Sequence, residues 1–207
     1  MRSKLFTIMI LVAFISFSQI ACTQNESNGN KQIAKTETDP NAGAKESTPS
    51  VPKVYFIQAV APSSPPGYAR DFGWQENGKP VQFSTITKDK VVFLNFWATW
   101  CGPCRHEIPD IIEIVKDLKN KDFIVIGIAL ERTQTADEAM EKVKSFVQTY
   151  GLNYINFIRN PELESAYGGI AGVPTTFIID KNGVIIDKLV GMRSKDAFME
   201  SISKVLK

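Results

Sequence analysis

The apolar residues in the C-terminal two thirds of the chain are spaced as in alternating strands and helices. Two nearly unbroken apolar runs, at 91–96 and at Phe123–Ala129, are typical of strands that are covered on both faces. Between these runs, apolar residues recur at helical spacing and predict an amphipathic helix over 103–120. The apolar positions of this helix are Ile108, Ile111, Ile112, Val115 and Leu118.

Capping residues predict the other helices. Thr135, with Glu138 three residues later, forms a capping-box pattern, and Gly151 stands where the helix that begins there would end. Ser194 can cap a last helix, whose inward positions are Phe198, Ile202, Val205 and Leu206. Residues 161–167 are expected to form a short helix.

Asparagine–glycine pairs predict two hairpins. Asn77-Gly78 separates strand candidates at 72–75 and 81–83, and Asn182-Gly183 separates strand candidates at 176–179 and 184–190. The segment 154–158 fits either a strand or an extended connector.

The elements follow one another as a hairpin, then β-α-β-α, then β-β-α. Parallel crossovers followed by a hairpin and a closing helix predict an α/β fold, with a central mixed β-sheet and helices on both faces. The N-terminal β-hairpin precedes this sheet. Residues 54–207 are expected to form one domain.

The first 21 residues have the layout of a secretory signal peptide. Arg2 and Lys4 precede an apolar run at 5–17, which is shorter than the ~20 residues of a membrane-spanning helix. An uncleaved membrane anchor is the alternative. The end of the segment, Ile20-Ala21-Cys22, resembles a bacterial lipoprotein signal, in which the cysteine carries the lipid, although Gln19 replaces the usual leucine. Alternatively, Cys22 is discarded with an ordinary signal peptide.

Residues 22–53 are predicted to form a flexible polar linker. They are rich in Asn, Ser, Thr, Gly, Lys and Glu and contain almost no large apolar residue, so burial cannot offset the entropy of ordering them. A lipid on Cys22 would tether the folded domain through this linker. We expect the protein to be exported to the periplasmic face of the cell envelope, a compartment where disulfides form.

Charge and composition exclude several classes of function. The formal net charge is +2, and it falls to zero when Arg2 and Lys4 leave with the signal peptide, so no basic surface for nucleic acid is predicted. One histidine and three cysteines nearly exclude a dedicated metal site, which usually needs four nitrogen or sulfur ligands. No Gly-rich phosphate loop is found, and no cofactor is expected.

The candidate chemistry is in Trp100-Cys101-Gly102-Pro103-Cys104, directly after a buried strand and at the start of a helix. Unpaired N–H groups at the helix N-terminus favour a thiolate, so the pKa of Cys101 should lie below that of a free thiol. Cys104, one turn along, is the natural resolving thiol. A structural disulfide and half of a zinc site are the alternatives; a loop this small would stabilise little, and a second cysteine pair for zinc is missing.

Two segments carry a family resemblance. Residues 96–109 resemble the active-site segment of thioredoxin-like proteins, especially the exported TlpA/ResA/CcmG branch. Residues 172–183 resemble the cis-proline loop of that family and the strand and turn after it. The likeness runs from about Ala69 to the C-terminus, and the stretch before the cis-proline loop carries one extra residue around Gly168-Gly169.

The resemblance implies roles for several residues. Cys101 would attack the substrate, and Cys104 would resolve the mixed disulfide. Pro174 would be the cis-proline, with Val173 offering backbone hydrogen bonds to an extended substrate and Trp100 packing beside the disulfide. Gly102 lets the backbone of a partner approach, Pro103 fits the first helical turn, and Pro109 would kink the helix.

Glu107 is the leading candidate for proton transfer. Many members of the exported branch carry a glutamate three residues after the second cysteine, whereas general thioredoxins carry an aspartate six residues before the first, where this chain has Asn95. The alternative for Glu107 is a solvated helix residue. His106 is expected to be a surface residue, and Glu131 is expected to have a structural role.

The predicted function is a thiol–disulfide oxidoreductase that reduces protein disulfides. Family resemblance implies protein substrates with disulfides, a membrane protein as electron donor, and cytochrome c maturation as the pathway, with an apocytochrome as substrate. A thiol peroxidase is one alternative, but it needs Thr-x-x-Cys, and Thr99 is only two residues before Cys101. A tethered binding module without catalysis is the other, and the presence of both cysteines argues against it.

Overall fold

The structure, a computed structural model, describes residues 53–207. The predicted signal peptide, Cys22 and all of the predicted linker except Lys53 lie outside the described residues. The strands are β1 (Val54–Phe56), β2 (Ala59–Val60), β3 (Phe72–Glu76), β4 (Lys79–Gln82), β5 (Val91–Trp97), β6 (Phe123–Ala129), β7 (Ile155–Ile158), β8 (Thr175–Ile179) and β9 (Ile185–Val190). The helices are α1 (Phe83–Thr87), α2 (Gly102–Asp117), α3 (Ala136–Tyr150), α4 (Pro161–Ala166) and α5 (Lys195–Ser203).

A six-stranded mixed sheet forms the centre, in the order β1-β7-β6-β5-β8-β9. The first four strands of this order run parallel to one another, and β8 is antiparallel to both of its neighbours. A second, antiparallel sheet has the order β2-β3-β4 and contains the predicted N-terminal hairpin. The predicted α/β fold with a central mixed sheet is therefore confirmed.

Both faces of the central sheet are covered, which explains the unbroken apolar run of β5. Phe93 packs with residues of α2, α3 and α5 on one face, and its ring lies 4.9 Å from that of Phe198. Leu94 and Phe96 pack on the other face with residues of α1, α4 and the small sheet. An aromatic cluster fills this second core, where the ring of Phe157 lies 4.8 Å from Trp74. Helices on both faces are thus confirmed.

The predicted caps and turns form as expected. Asn77 and Gly78 both have positive φ, 52° and 74°, as the tight hairpin turn between β3 and β4 requires. The Thr135 side chain accepts the N–H of Glu138 at the start of α3. Gly151 ends that helix in the left-handed conformation, at φ 66°.

Four elements differ from the sequence prediction. Strands β1 and β2 were not predicted, because each is too short to show a period; β1 is held by parallel pairing with β7. Phe83 begins helix α1 instead of ending a strand, and its ring stacks 4.9 Å from Phe72 in the core. Helix α2 ends at Asp117, three residues earlier than predicted.

Candidate active site at the start of helix α2

Cys101 and Cys104 form a disulfide where β5 leads into α2. Cys101 is the N-cap residue of the helix, and its Sγ accepts the backbone N–H of Cys104 at 3.1 Å. An N–H group aimed at this sulfur, together with the positive end of the helix dipole, would stabilise a thiolate here after reduction. The Cys101 side chain is 4% exposed and that of Cys104 is fully buried, so a partner reaches Cys101 first.

The segment before β8 faces the disulfide. The peptide bond between Val173 and Pro174 is cis, as the resemblance implied. Because β8 is antiparallel to β5, with Thr175 opposite Phe96, the start of β8 lies beside the end of β5. The carbonyl oxygen of Val173 consequently lies 3.6 Å from Cys101 Sγ.

Glu107 is buried, with 1% of its surface exposed, so the alternative of a solvated helix residue is wrong. One carboxylate oxygen accepts Asn95 Nδ2–H at 3.1 Å, and the other accepts the backbone N–H of Arg193 at 3.4 Å. Burial raises the pKa of Glu107 to about 7, and the hydrogen bonds from Arg193 and Asn95 offset only part of this effect. The carboxyl therefore exchanges its proton near neutral pH.

Asn95 connects this carboxyl to the sheet. Its Nδ2 also donates to Thr176 Oγ1 at 3.0 Å, on the neighbouring strand β8. Its Oδ1 is buried without a hydrogen-bond partner among the described residues. The position that resembles the aspartate site of general thioredoxins thus holds a neutral amide that orients Glu107.

Glu131 follows β6 and is buried, at 3% exposure. Its carboxylate accepts the N–H of Thr99 at 2.7 Å and the hydroxyl of Thr99 at 2.8 Å, and it pairs with Lys142 Nζ at 3.0 Å. Thr99 lies two residues before Cys101. Glu131 therefore fixes the segment that leads to the first cysteine, which agrees with the structural role expected for it.

Trp100 is 39% exposed beside the disulfide, yet its ring is held on two sides. The indole Nε1–H donates to the carbonyl of Leu130 at 3.2 Å. The guanidinium carbon of Arg132 lies 4.0 Å from the centre of the ring, within the range of a cation–π contact. An apolar side chain next to Cys101 is thus presented to solvent in a fixed orientation.

The first turn of α2 leaves room for a partner. A side chain at Gly102 would meet no atom within 4 Å, so the space above this residue is open. Pro103 is exposed at the start of the helix, and His106 is exposed on its outer face, as predicted for that histidine. Pro109 lies inside the helix and is exposed.

Comparison with known proteins now identifies the family. The profile described as Redoxin matches residues 62–204. The chain belongs to the redoxin family.

A curated relative of this redoxin is named for its thiol–disulfide chemistry. The chain is 33% identical over 129 residues to the thiol-disulfide oxidoreductase ResA of Bacillus thuringiensis (strain Al Hakam). The aligned region covers 62% of this chain and 70% of that protein. The chain therefore belongs with the TlpA/ResA/CcmG-type thioredoxin-like proteins. The redoxin is an enzyme, a thiol–disulfide oxidoreductase, and its cysteine pair is Cys101–Cys104.

Solved structures show the same fold. The thiol:disulfide interchange protein of Chlorobium tepidum TLS is 35% identical, with a TM-score of 0.60, and the match covers 70% of this chain and 99% of that one. The exposed lipoprotein thioredoxin Etrx1 of Streptococcus pneumoniae strain TIGR4 is 28% identical, with a TM-score of 0.51, and the match covers 65% of this chain and 99% of that one. The redoxin domain has the thioredoxin-like fold.

Sequence reasoning missed the residues that support the redoxin site from other elements. Lys142, Arg132 and the backbone of Arg193 all contact site residues, yet none lies in a recognisable motif. The only sequence feature that pointed to Glu131 and Arg132 was the presence of two charged residues just after the predicted buried strand β6.

Within residues 53–207, no helix is long and apolar enough to span a membrane, and no group of three acidic, histidine or cysteine side chains could hold a metal ion.

The raised pKa of Glu107 makes folding stability depend on pH. Below about pH 4.3, the usual pKa of a glutamate, the carboxyl is protonated in both states and costs nothing. As the pH rises towards 7, the unfolded chain releases the proton while the folded protein retains it, so the free energy of unfolding falls. Above pH 7 the whole penalty is present.

We expect Glu107→Gln to gain stability over the wild type as the pH rises, because the variant has no carboxyl to ionise. Between about pH 5 and about pH 8 the gain should be about 2–3 kcal/mol. Urea unfolding of the oxidised proteins at both pH values measures it. Glu200→Gln, at an exposed position of α5 that forms no salt bridge with a described residue, is the control and should show no such trend. A difference from wild type that stays constant with pH would contradict the assignment.

Proposed function

We propose that this redoxin reduces disulfides of exported proteins at the outer face of a cell membrane, with Cys101 as attacking thiol and Cys104 as resolving thiol. The observation that carries the proposal is the N-cap position of Cys101, whose Sγ accepts a helix N–H and lies beside the Val173 carbonyl. A cysteine in this position is ionised more easily than a free thiol.

The reaction starts from the reduced dithiol. The Cys101 thiolate attacks one sulfur of the substrate disulfide, a mixed disulfide forms, and the other substrate sulfur leaves as a thiolate that takes a proton. Cys104 then loses its proton and attacks Cys101 Sγ, which releases the second substrate sulfur as a thiolate that is also protonated. In sum, two electrons pass to the substrate and its two sulfurs take up two protons, one equivalent to the proton lost by Cys104 and one from solvent, while the Cys101–Cys104 disulfide is formed.

Glu107 is proposed to receive the proton of Cys104. Glu107 is three positions after Cys104 on α2, so the two lie about one turn apart on the same face, and both are buried. A carboxyl with a pKa of about 7 both accepts and returns a proton near neutral pH. Buried negative charge beside the thiols also raises their pKa values.

Substrate binding is assigned to the residues around the disulfide. Val173 offers its backbone to an extended substrate next to Pro174, and Trp100 supplies an exposed apolar surface. The open space at Gly102 and the exposed ring of Pro103 admit the backbone of a partner.

The reducing direction is supported by the Gly102-Pro103 dipeptide. It matches reducing thioredoxins, with potentials of about −270 mV, and not strong oxidants at about −120 mV. A reductant in an oxidising compartment must be reduced again, so a membrane protein that passes electrons outward is the proposed donor. The family resemblance suggests the haem-attachment thiols of an apocytochrome as substrate, and cytochrome c maturation as the pathway.

Membrane attachment is proposed through a lipid on Cys22. The leader at 1–21, the sequence Ile20-Ala21-Cys22 and the polar linker at 22–53 support it. A structural relative, from Streptococcus pneumoniae, is described as an exposed lipoprotein. The domain at 54–207 would then act at the end of a flexible tether.

The order in which the two thiols react tests the site assignment. In the reduced protein at neutral pH, Cys101 should be alkylated first, because its sulfur is stabilised as a thiolate and it retains 4% exposure, whereas Cys104 is fully buried. Mass spectrometry of the chain after limiting alkylation measures the order. The reduced protein should also reduce insulin, and Cys104→Ser should accumulate the mixed disulfide instead. Equal labelling of both thiols would overturn the assignment, and a pure binding module would give no turnover.

Replacement of Glu107 tests the proton path. Glu107→Gln keeps the shape of the side chain and removes its charge, so both thiol pKa values should fall and insulin reduction should slow, by about 10-fold to 100-fold. Thiol titrations and turnover across the pH range measure the two effects, and thermal melts check the fold. If both the titration curves and the turnover match those of the wild type, the proton of Cys104 takes another path.

Fractionation tests the anchor. The wild type should partition with membranes, whereas Cys22→Ser should be found in the soluble fraction of the envelope, since no lipid can be attached. Mass spectrometry of the N-terminal peptide identifies the lipid directly. If both proteins are soluble, the leader is an ordinary signal peptide.

A further inference from the structure

Four segments surround the disulfide, and we refer to them together as the active-site rim: residues 99–107, 130–134, 170–174 and 190–193. The last segment is joined to the others by two hydrogen bonds. The N–H of Gly191 donates to the carbonyl of Pro174 at 2.8 Å, and the N–H of Arg193 donates to Glu107. All four therefore meet around Cys101.

The rim contains three arginines, and each belongs to a different segment. Arg105 is exposed on the first turn of α2, directly after Cys104. Arg132 is exposed and lies over the ring of Trp100. Arg193 is half-buried, and its guanidinium donates to the carbonyls of Gly191 and Met192. None of the three forms a salt bridge with a described residue.

The only two carboxylates of the rim do not balance these charges at its surface. Glu131 is buried and already pairs with Lys142. Glu107 is buried too, and its pKa of about 7 leaves it partly neutral near neutral pH. Just beyond the rim, Asp110, Asp137 and Glu138 form no salt bridge with any of the three arginines. A partner at the rim therefore meets three guanidinium groups that have no salt-bridge partner among the described residues.

Apolar surface accompanies two of the arginines. Trp100, beside Arg132, is 39% exposed, and Met192, beside Arg193, is 50% exposed. Large exposed apolar side chains next to arginine are typical of the contact residues of protein interfaces. The rim thus combines apolar contact area with positive charge.

We propose that the preferred substrates are protein disulfides flanked by acidic and apolar residues, which the three rim arginines attract and Trp100 and Met192 contact. This inference rests on the proposed reductase function, and it names the substrate class of the same site. Charge complementarity of this kind acts mainly on the rate of encounter and on the choice of partner, and salt weakens it.

Matched peptides test the proposal. Two synthetic peptides share one Cys-x-x-Cys-His disulfide, the haem-attachment spacing, and differ only in whether Asp or Lys residues flank it. The pre-reduced full chain should reduce the acidic peptide with a kcat/KM about tenfold higher at low salt, since each exposed ion pair contributes a factor of about 1.4 to 5. The ratio should approach one at about 0.5 M NaCl, where the Debye length is only about 4 Å.

Charge-removing variants locate the effect. Arg105→Gln, Arg132→Gln and Arg193→Gln should each lower the preference for the acidic peptide, and the triple variant should abolish it. Arg132→Lys should retain it, which separates the charge of this residue from its packing on Trp100. Lys181→Gln removes one positive charge in the β8–β9 turn, where Lys181 pairs with Asp122, and should leave the preference unchanged.

The outcomes separate this proposal from the reductase function. If neither peptide is reduced, the proposed function itself fails. If both are reduced equally at low salt, or the basic peptide is preferred, the reductase stands and the acidic-substrate proposal is wrong. A preference that persists in the triple variant would also overturn the role of the arginines.

Discussion

The pairing of β5 with a neighbour on each side is the constraint on which the site depends. Parallel pairing with β6 places residues 130–132 beside the end of β5, and antiparallel pairing with β8 brings Pro174 to the same end. The chain leaves β5 at this point, and four residues, ending with Cys101, lead to the start of α2 at Gly102. Three segments distant in sequence therefore converge on one sulfur, because a fully buried strand fixes the position of both neighbours.

Two buried carboxylates near the end of β5 differ in how well their surroundings compensate a negative charge. Glu131 has an ion pair and two hydrogen bonds from Thr99, which compensate its charge and hold the active-site segment. Glu107 has two longer hydrogen bonds and no cation bonded to it, so burial dominates and its pKa rises. One carboxylate is thereby suited to positioning and the other to proton exchange, although both are glutamates in the same core.

The sequence predicts the parts of the fold that have long periodic patterns or specific turn residues. The buried strands, the helices α2 and α3, and the hairpin at Asn77-Gly78 are of this kind. Strands β1 and β2 could not be predicted, because two or three residues show no period and their order comes from pairing with distant segments.

The same limit applies to the site. The two cysteines, the cis-proline and Glu107 lie in motifs that a single sequence displays. Burial of Glu107 was not predictable, because it follows from contacts with Asn95 and with the segment at Arg193, 86 residues away. The role of Arg132 likewise depends on how the end of β6 lies beside Trp100.

The buried carboxyl also affects the proton stoichiometry of the redox couple. When the protein is reduced and Cys101 ionises, the new negative charge would raise the pKa of Glu107 further, so the carboxyl would take up a proton as the thiol releases one. Above pH 7, where Glu107 of the oxidised protein is ionised, the reduced site would then hold nearly two more protons than the oxidised site even though Cys101 is a thiolate. A substrate disulfide also takes up two protons on reduction, so the potentials of enzyme and substrate change in parallel with pH. The difference between the two reduction potentials, which drives electron transfer, would consequently change little with the pH of the surroundings.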